Sequence, residues 1–193
     1  VLQEDEVGIV PIYLSIVQDN NGNIQTADSD KLLSTVRYLG DGKIGLGNTA
    51  KSFTISQDGT IYFFDSDRGI PFRLRGSSLQ NISGLMTPYF TRSISRVERA
   101  GFVFPYSEYW LTFSDLDGKM RTLIFDATDN HWKSFCDILP EETTNLNKEV
   151  YSFKEGLLYQ MSKDSLNNEF YGIKYNTTLD TVFPSNIVKT FQS

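Results

Sequence analysis

The sequence predicts an all-β fold made of propeller-like antiparallel blades of about 48 residues each, forming an incomplete propeller. Three observations lead there. Short runs of β-branched and aromatic residues alternate with Asp/Gly turn pairs. Four such runs, each centred on an aromatic residue, recur at nearly constant spacing. Aromatic residues make up 13% of the chain, and rings pack well on pleated surfaces. A unit of four strands cannot bury both of its faces alone, so a period of this length implies neighbours that cover them. An antiparallel β-sandwich, whose strands also come every 8–12 residues or so, is the alternative.

The four runs are Val10–Val17 around Tyr13, Ile61–Phe64 around Tyr62, Tyr109–Phe113 around Trp110, and Leu157–Met161 around Tyr159. Each is followed by a polar turn: Asp19–Gly22, Asp65–Gly69, Asp115–Gly118 and Lys163–Asn168. A second apolar run follows the turn. It is weak around Ile24 and clear at Ile70–Leu74, Arg121–Phe125 and Phe170–Tyr175. The second unit shows the logic. Asp58-Gly59 opens the run Thr60–Asp65, Asp67-Arg68-Gly69 closes it, and Gly76-Ser77-Ser78 ends the run Ile70–Leu74. Glycine tolerates the positive φ that such hairpin turns need.

The third unit predicts strands at Tyr109–Phe113, Met120–Asp126 and His131–Phe135, with turns at Ser114–Lys119 and Ala127–Asn130. Its strand–turn–strand–turn order ending in Trp132 resembles a kelch-type blade, in which a late Trp packs between blades. Trp110 and Trp132 are expected in the interior. Helix signals are confined to Ser83–Arg92, with Ser83 as N-cap, and a weaker stretch at Asp28–Tyr38.

At 193 residues the chain reads as a single β-rich domain, 1–193, within which 1–43 follows the pattern less clearly. It begins Val1-Leu2-Gln3-Glu4 and stops without an end signal, so we expect a piece of a longer protein. A net charge of −6 argues against non-specific binding of free nucleic acid. Arg68, Arg73, Arg75, Arg92, Arg96 and Arg99 form a local basic cluster, read as a solvated face with neighbouring carboxylates. The single cysteine, Cys136, admits no intrachain disulfide and reads as a small buried hydrophobe. No apolar run approaches the roughly 20 residues of a membrane helix, so no membrane insertion is expected.

Catalytic signals are thin. Any Ser-His-Asp or Cys-His site would need His131, which sits in a predicted strand and reads as a blade-edge residue. One His and one Cys are too few for a His/Cys zinc site. The stretch Gly40–Gly47 is glycine-rich without phosphate-loop spacing and reads as a loop leading to the strand at Phe53. Ser56-Gln57-Asp58-Gly59-Thr60-Ile61-Tyr62 partly resembles the Asp-box turn of sialidase-like propellers, but departs in spacing and lacks its Trp. Asp115/Asp117 and Asp126/Asp129 offer oxygen ligands for calcium, without EF-hand spacing, and turn-forming Asp is the commoner role. We therefore expect no catalytic residues, no metal and no cofactor.

One ordered series carries a family resemblance: Ile44-Gly45-Leu46-Gly47-Asn48, Ser52-Phe53, Ile61–Asp65, Arg68-Gly69, Phe72-Arg73-Leu74, Leu79, Ile82-Ser83, Met86 and Tyr89-Phe90. It resembles the stabilisation or muzzle protein of crAss-like bacteriophage tails. Glu108–Phe113, Thr122–Phe125, Trp132–Phe135 and the stretch around Lys189 are similar to that family too, so the resemblance spans most of residues 44–190. It implies a virion component of the distal tail, assembled in the host cytoplasm. Its partners would be other tail proteins and further copies of itself, in a ring around the DNA exit path, without sequence-specific nucleic-acid binding. It implies no enzymatic activity. The alternative from the residues alone is a carbohydrate-binding or glycoside-cleaving β-propeller domain.

Overall fold

The computed structural model describes residues 1–10, 35–40, 43–161, 169–174 and 176, together with the backbone of 15–18 and 24–27. The protein is all-β, built from several small antiparallel sheets and one short helix. It divides into two compact units, Val1–Ser162 and Lys163–Ser193.

Two four-stranded meanders dominate the first unit. Strands β5 (Thr54–Ile55), β6 (Ile61–Asp65), β7 (Ile70–Arg75) and β8 (Ser78–Asn81) pair in chain order. So do β9 (Ile94–Val103), β10 (Glu108–Asp115), β11 (Met120–Asp126) and β12 (His131–Cys136). Strands β13 (Glu142–Leu146), β14 (Glu149–Lys154) and β15 (Leu157–Met161) form a third meander of three strands. Nearer the N-terminus, β1 (Gly8–Ile9) pairs with β4 (Arg37–Tyr38), and β2 (Ser15–Gln18) with β3 (Ile24–Ala27).

The meanders follow from alternation and turn chemistry. In β6 nearly every residue is buried, because its two faces serve different cores. Tyr62 and Phe64 face the second sheet, in a cluster with Phe102, Tyr109, Leu111, Phe113 and Phe125. Phe63 points the other way, with Phe72, Leu74, Val7 and Leu39. A strand apolar on both sides is what a sheet covered on both sides requires. Aspartates at the strand ends then stop the ladders. Asp65 Oδ1 accepts from the Asp67 and Arg68 N–H groups, Asp115 Oδ1 from those of Asp117 and Lys119, and Asp126 Oδ1 from those of Thr128 and Asp129. Each carboxylate supplies acceptors for turn amides that the sheet leaves unpaired.

The third sheet meets the second where Gly101 of β9 faces Thr143 of β13. A methyl at Gly101 would lie 1.8 Å from Thr143 Oγ1. Beside it, the Asn145 amide donates to Phe102 O at 2.6 Å and accepts from Phe104 N at 2.9 Å.

Several sequence expectations need correction. The predicted helix at Ser83–Arg92 is a 3-10 turn, Gly84–Met86, followed by helix α1 (Thr87–Ser93) with Pro88 in its first turn. Ser83 caps no backbone N–H. Its hydroxyl donates to Asn81 Oδ1 at 2.7 Å and lies 2.6 Å from Thr87 Oγ1. At the end of the stretch Asp28–Tyr38, Arg37–Tyr38 is a strand, because it completes a ladder with Gly8–Ile9. Residues 28–34 lie outside those described, as do Tyr13 and the turns at 19–22 and 163–168. In the second unit the apolar run at Phe170–Tyr175 is broken. Strand β16 (Glu169–Phe170) turns at Tyr171-Gly172, both at positive φ, into β17 (Ile173–Lys174).

Candidate functional site

A cleft of about 430 Å³ opens where the first two sheets come together. One wall comes from the first sheet: the β5–β6 turn with Ser56, Gln57, Asp58 and Thr60, then Tyr62 on β6 and Arg73 and Arg75 on β7. The second sheet supplies Phe102 near the end of β9, Phe104 and Ser107 in the β9–β10 connection, and Ala127 and Thr128 in the β11–β12 turn.

The β5–β6 turn is held by the residues that resemble an Asp box. Ser56 N donates to Thr60 O at 2.8 Å, and Gly59 N to Ser56 O at 3.1 Å. The Ser56 hydroxyl bonds Asp58 Oδ1, and Thr60 N donates to the same oxygen at 3.1 Å. Those bonds, the Ser56 hydroxyl first, hold the Asp58 carboxyl down to a pKa of about 2. Its other oxygen, Oδ2, lies 3.6 Å from Arg75 in an open, solvated pair. Arg73 donates to Gln80 Oε1 at 2.5 Å. The Tyr62 ring is buried against Phe102 and Tyr109, each centroid 5.2 Å away, and burial pushes its hydroxyl pKa up. The cleft thus presents two guanidiniums, one ionised carboxylate, several hydroxyls and an aromatic floor.

The other candidates resolve mostly into structure. His131 is exposed on the edge strand β12, opposite Asp126. Ser83 lines the same hollow as His131, but its hydroxyl is buried and bonded to Asn81 and Thr87. Cys136 is half-buried, not fully enclosed. Its sulfur accepts from Ile138 N at 3.5 Å, and burial raises the thiol pKa. Glu108 and Asp126 are both buried and both bridged by Lys133, at 3.1 and 2.9 Å, and Glu108 also accepts from Trp110 Nε1 at 2.9 Å. Asp126 titrates low, first because of the Asp129 N–H and then because of Lys133. Asp115 is committed to its turn and to Arg121 at 3.1 Å. Among the described residues, no group of three or more His, Cys, Asp or Glu gathers to hold a metal ion.

The basic cluster is dispersed. Arg96 pairs with Glu98 at 2.7 Å, Arg99 with Glu142 at 2.9 Å, and Arg68 with Asp65 at 3.9 Å. Arg73 and Arg75 converge on the cleft, and Arg68 and Arg96 line a second hollow of about 410 Å³ beside Phe90, where each is paired with a carboxylate. The residues that complete the cleft, Phe104, Ser107 and Thr128, carry no sequence signal of their own. Sheet stacking brings them there across about 30–70 residues of chain. In the Gly40–Gly47 loop, of which 41–42 lie outside the described residues, Gly45 is required by close approach. A methyl on Gly45 would lie 2.0 Å from the Glu4 carbonyl oxygen, where the N-terminal segment runs alongside.

Compared with known protein families, with curated proteins and with solved structures, the chain matches none.

Proposed function

We propose that this chain is a structural component of a bacteriophage tail that works by subunit–subunit assembly and not by catalysis, its sheets serving as successive blades of an incomplete propeller. The outer face of the third sheet is the observation that carries this reading. Its inner residues Thr143 and Asn145 are used against β9. On the opposite face, Leu146, Phe153 and Leu158 are exposed by 60%, 39% and 56%, and Phe153 stands directly across from Leu158. The first two sheets each bury aromatic side chains against a neighbour. A third sheet with apolar residues on its far side calls for a cover of the same kind, and in an assembly a further subunit supplies it.

The ordered resemblance to crAss-like tail proteins supports the same reading, with virion proteins and further copies of the chain as the proposed partners. The rival reading as a glycosidase needs two carboxylates about 5–10 Å apart facing one substrate. The cleft offers Asp58 alone, and the Glu108/Asp126 pair is locked by Lys133.

The test is sedimentation velocity on the protein alone and with candidate tail proteins, beside a glycan-hydrolysis screen. Assembly into a defined oligomer, lost when Phe153 and Leu158 become serine, is the expected result. A strictly monomeric protein, or turnover abolished by a single carboxylate substitution, overturns the reading.

A further inference from the structure

We propose that the cleft between the first two sheets is a binding site for a short acidic glycan, a sugar chain carrying carboxylates. The inference is independent of the tail reading. The volume of about 430 Å³ falls within the roughly 300–1,000 Å³ of small-ligand sites. Its chemistry is mixed in the way a polyhydroxylated acid ring requires. Arg75 stands at the rim, 76% exposed, and among the described residues its guanidinium is paired with Asp58 alone, at 3.6 Å, so most of its five N–H donors face solvent. A planar fork of this kind matches a carboxylate in two parallel bonds. Beside it, Asp58 is fixed as an acceptor by its own turn, and Ser107 and Thr128 bring hydroxyls from the second sheet. Phe104, half-buried against Phe102 with ring centroids 6.0 Å apart, supplies apolar surface for a ring face.

Charge decides between a neutral and an acidic ligand. Two arginines against one aspartate leave a positive excess in the cleft, within a chain of net charge −6. A simple anion such as phosphate would use the guanidiniums and leave the hydroxyls and aromatic surface without a role. Polyanionic nucleic acid would meet an acidic molecule everywhere outside this cleft. One carboxylate, without a second acid, makes the site one of binding and not of cleavage.

The experiment is calorimetric titration of the protein with oligogalacturonate, oligomannuronate and hyaluronan tetrasaccharides and sialyllactose, against cellotetraose, chitotetraose and inorganic phosphate. At least one acidic sugar should bind with a submillimolar Kd, about tenfold or more tighter than the neutral tetrasaccharides. Arg75→Ala should weaken that binding about tenfold and Arg75→Lys should restore part of it, since lysine keeps the charge without the fork. Arg75 is exposed, so both variants keep the fold, checked by an unchanged melting temperature. A second variant, Thr128→Tyr, fills the cleft from the opposite sheet and should abolish binding. The proposal is overturned by no binding of any acidic sugar, by equal binding of neutral sugars or of phosphate, or by wild-type affinity in Arg75→Ala.

Discussion

Trp132 ties the second sheet to the end of the first through one hydrogen bond, and its ring packs on helix α1 and on two strands of its own sheet. Its Nε1 donates to Ile82 O at 2.7 Å, just beyond the end of β8, and its ring lies 4.9, 5.1 and 6.2 Å from Phe90, Phe125 and Tyr109. It is partly buried, whereas Trp110 is fully so. Replacing Trp132 by Ala removes aromatic packing on both sides of the junction and should cost about 3 kcal/mol in a denaturant titration. Trp132→Phe should cost about 1 kcal/mol, the share of the lost hydrogen bond. A loss below about 1 kcal/mol for the Ala variant would mean that the junction does not depend on this ring. Asp58 gives a pH-dependent counterpart. Its folded pKa of about 2 lies below its ordinary 3.8, so the stability it contributes is present above about pH 4 and is lost as pH falls through about 2. Because the pair with Arg75 is open to solvent, the Asp58→Asn penalty at pH 7 should be on the order of 1 kcal/mol or less. Urea titrations of the two proteins at pH 7, 4 and 2 should show that difference vanish at the acid end. An unchanged gap at pH 2 would mean that the carboxylate is not held in its ionised form.

Among the elements, those most legible in the sequence were strands bounded by turn chemistry. The turns at Asp65–Gly69 and Ala127–Asn130 and the strands Met120–Asp126 and Leu157–Met161 stand where their Asp, Gly and aromatic residues place them. Less legible strands hide their role in polar side chains. The Ser78–Asn81 strand is mostly exposed because it is a sheet edge. Strand β9, ten residues long, carries Arg96 and Arg99, which belong to the basic cluster in sequence, while Val97, Ala100 and Phe102 face the core. The β13–β14 hairpin turns through Asn147 and Lys148, both at positive φ without a glycine, so its punctuation is faint. The cleft was half legible. The Ser56–Tyr62 turn stood out, but its opposite wall depends on which sheets stack. The same stacking gives a prediction at Gly101. Gly101→Ala should cost about 1–3 kcal/mol through overpacking against Thr143. Thr143→Ala alone should be close to neutral, because Thr143 Oγ1 is buried without a hydrogen-bond partner. The double variant should recover most of the loss, and additive costs in thermal melts would mean that the two positions do not meet.

Across the whole molecule, the stacking of sheets is the property that bears on assembly. The first sheet buries both of its faces, one in the aromatic cluster shared with the second sheet and one under the N-terminal segment around Val7 and Leu39. The third sheet buries Val150 and Ser152 and leaves Leu146, Phe153 and Leu158 outside. Exposed apolar residues on one strand are ordinary. Phe153 and Leu158, side by side on neighbouring strands, are an exposed apolar pair of the kind that marks interaction surfaces, with Leu146 at the other end of the same face. Contacts of this kind are non-directional in energy, at about 25 cal/mol per Å² of apolar area, and gain specificity from the polar rim around them. Here Glu142 stands beside Phe153, and the polar ends of the row Thr144–Tyr151–Gln160 lie between that pair and Leu146. The Phe153→Ser/Leu158→Ser variant should therefore fold as the parent does, with an unchanged or slightly higher melting temperature, since neither side chain is enclosed within its own chain. On the proposed assembly reading, it should sediment as a smaller species than the parent at the same concentration. A melting temperature lowered by several degrees would instead mean that these residues belong to the core of their own chain, and the third sheet would then be no assembly surface.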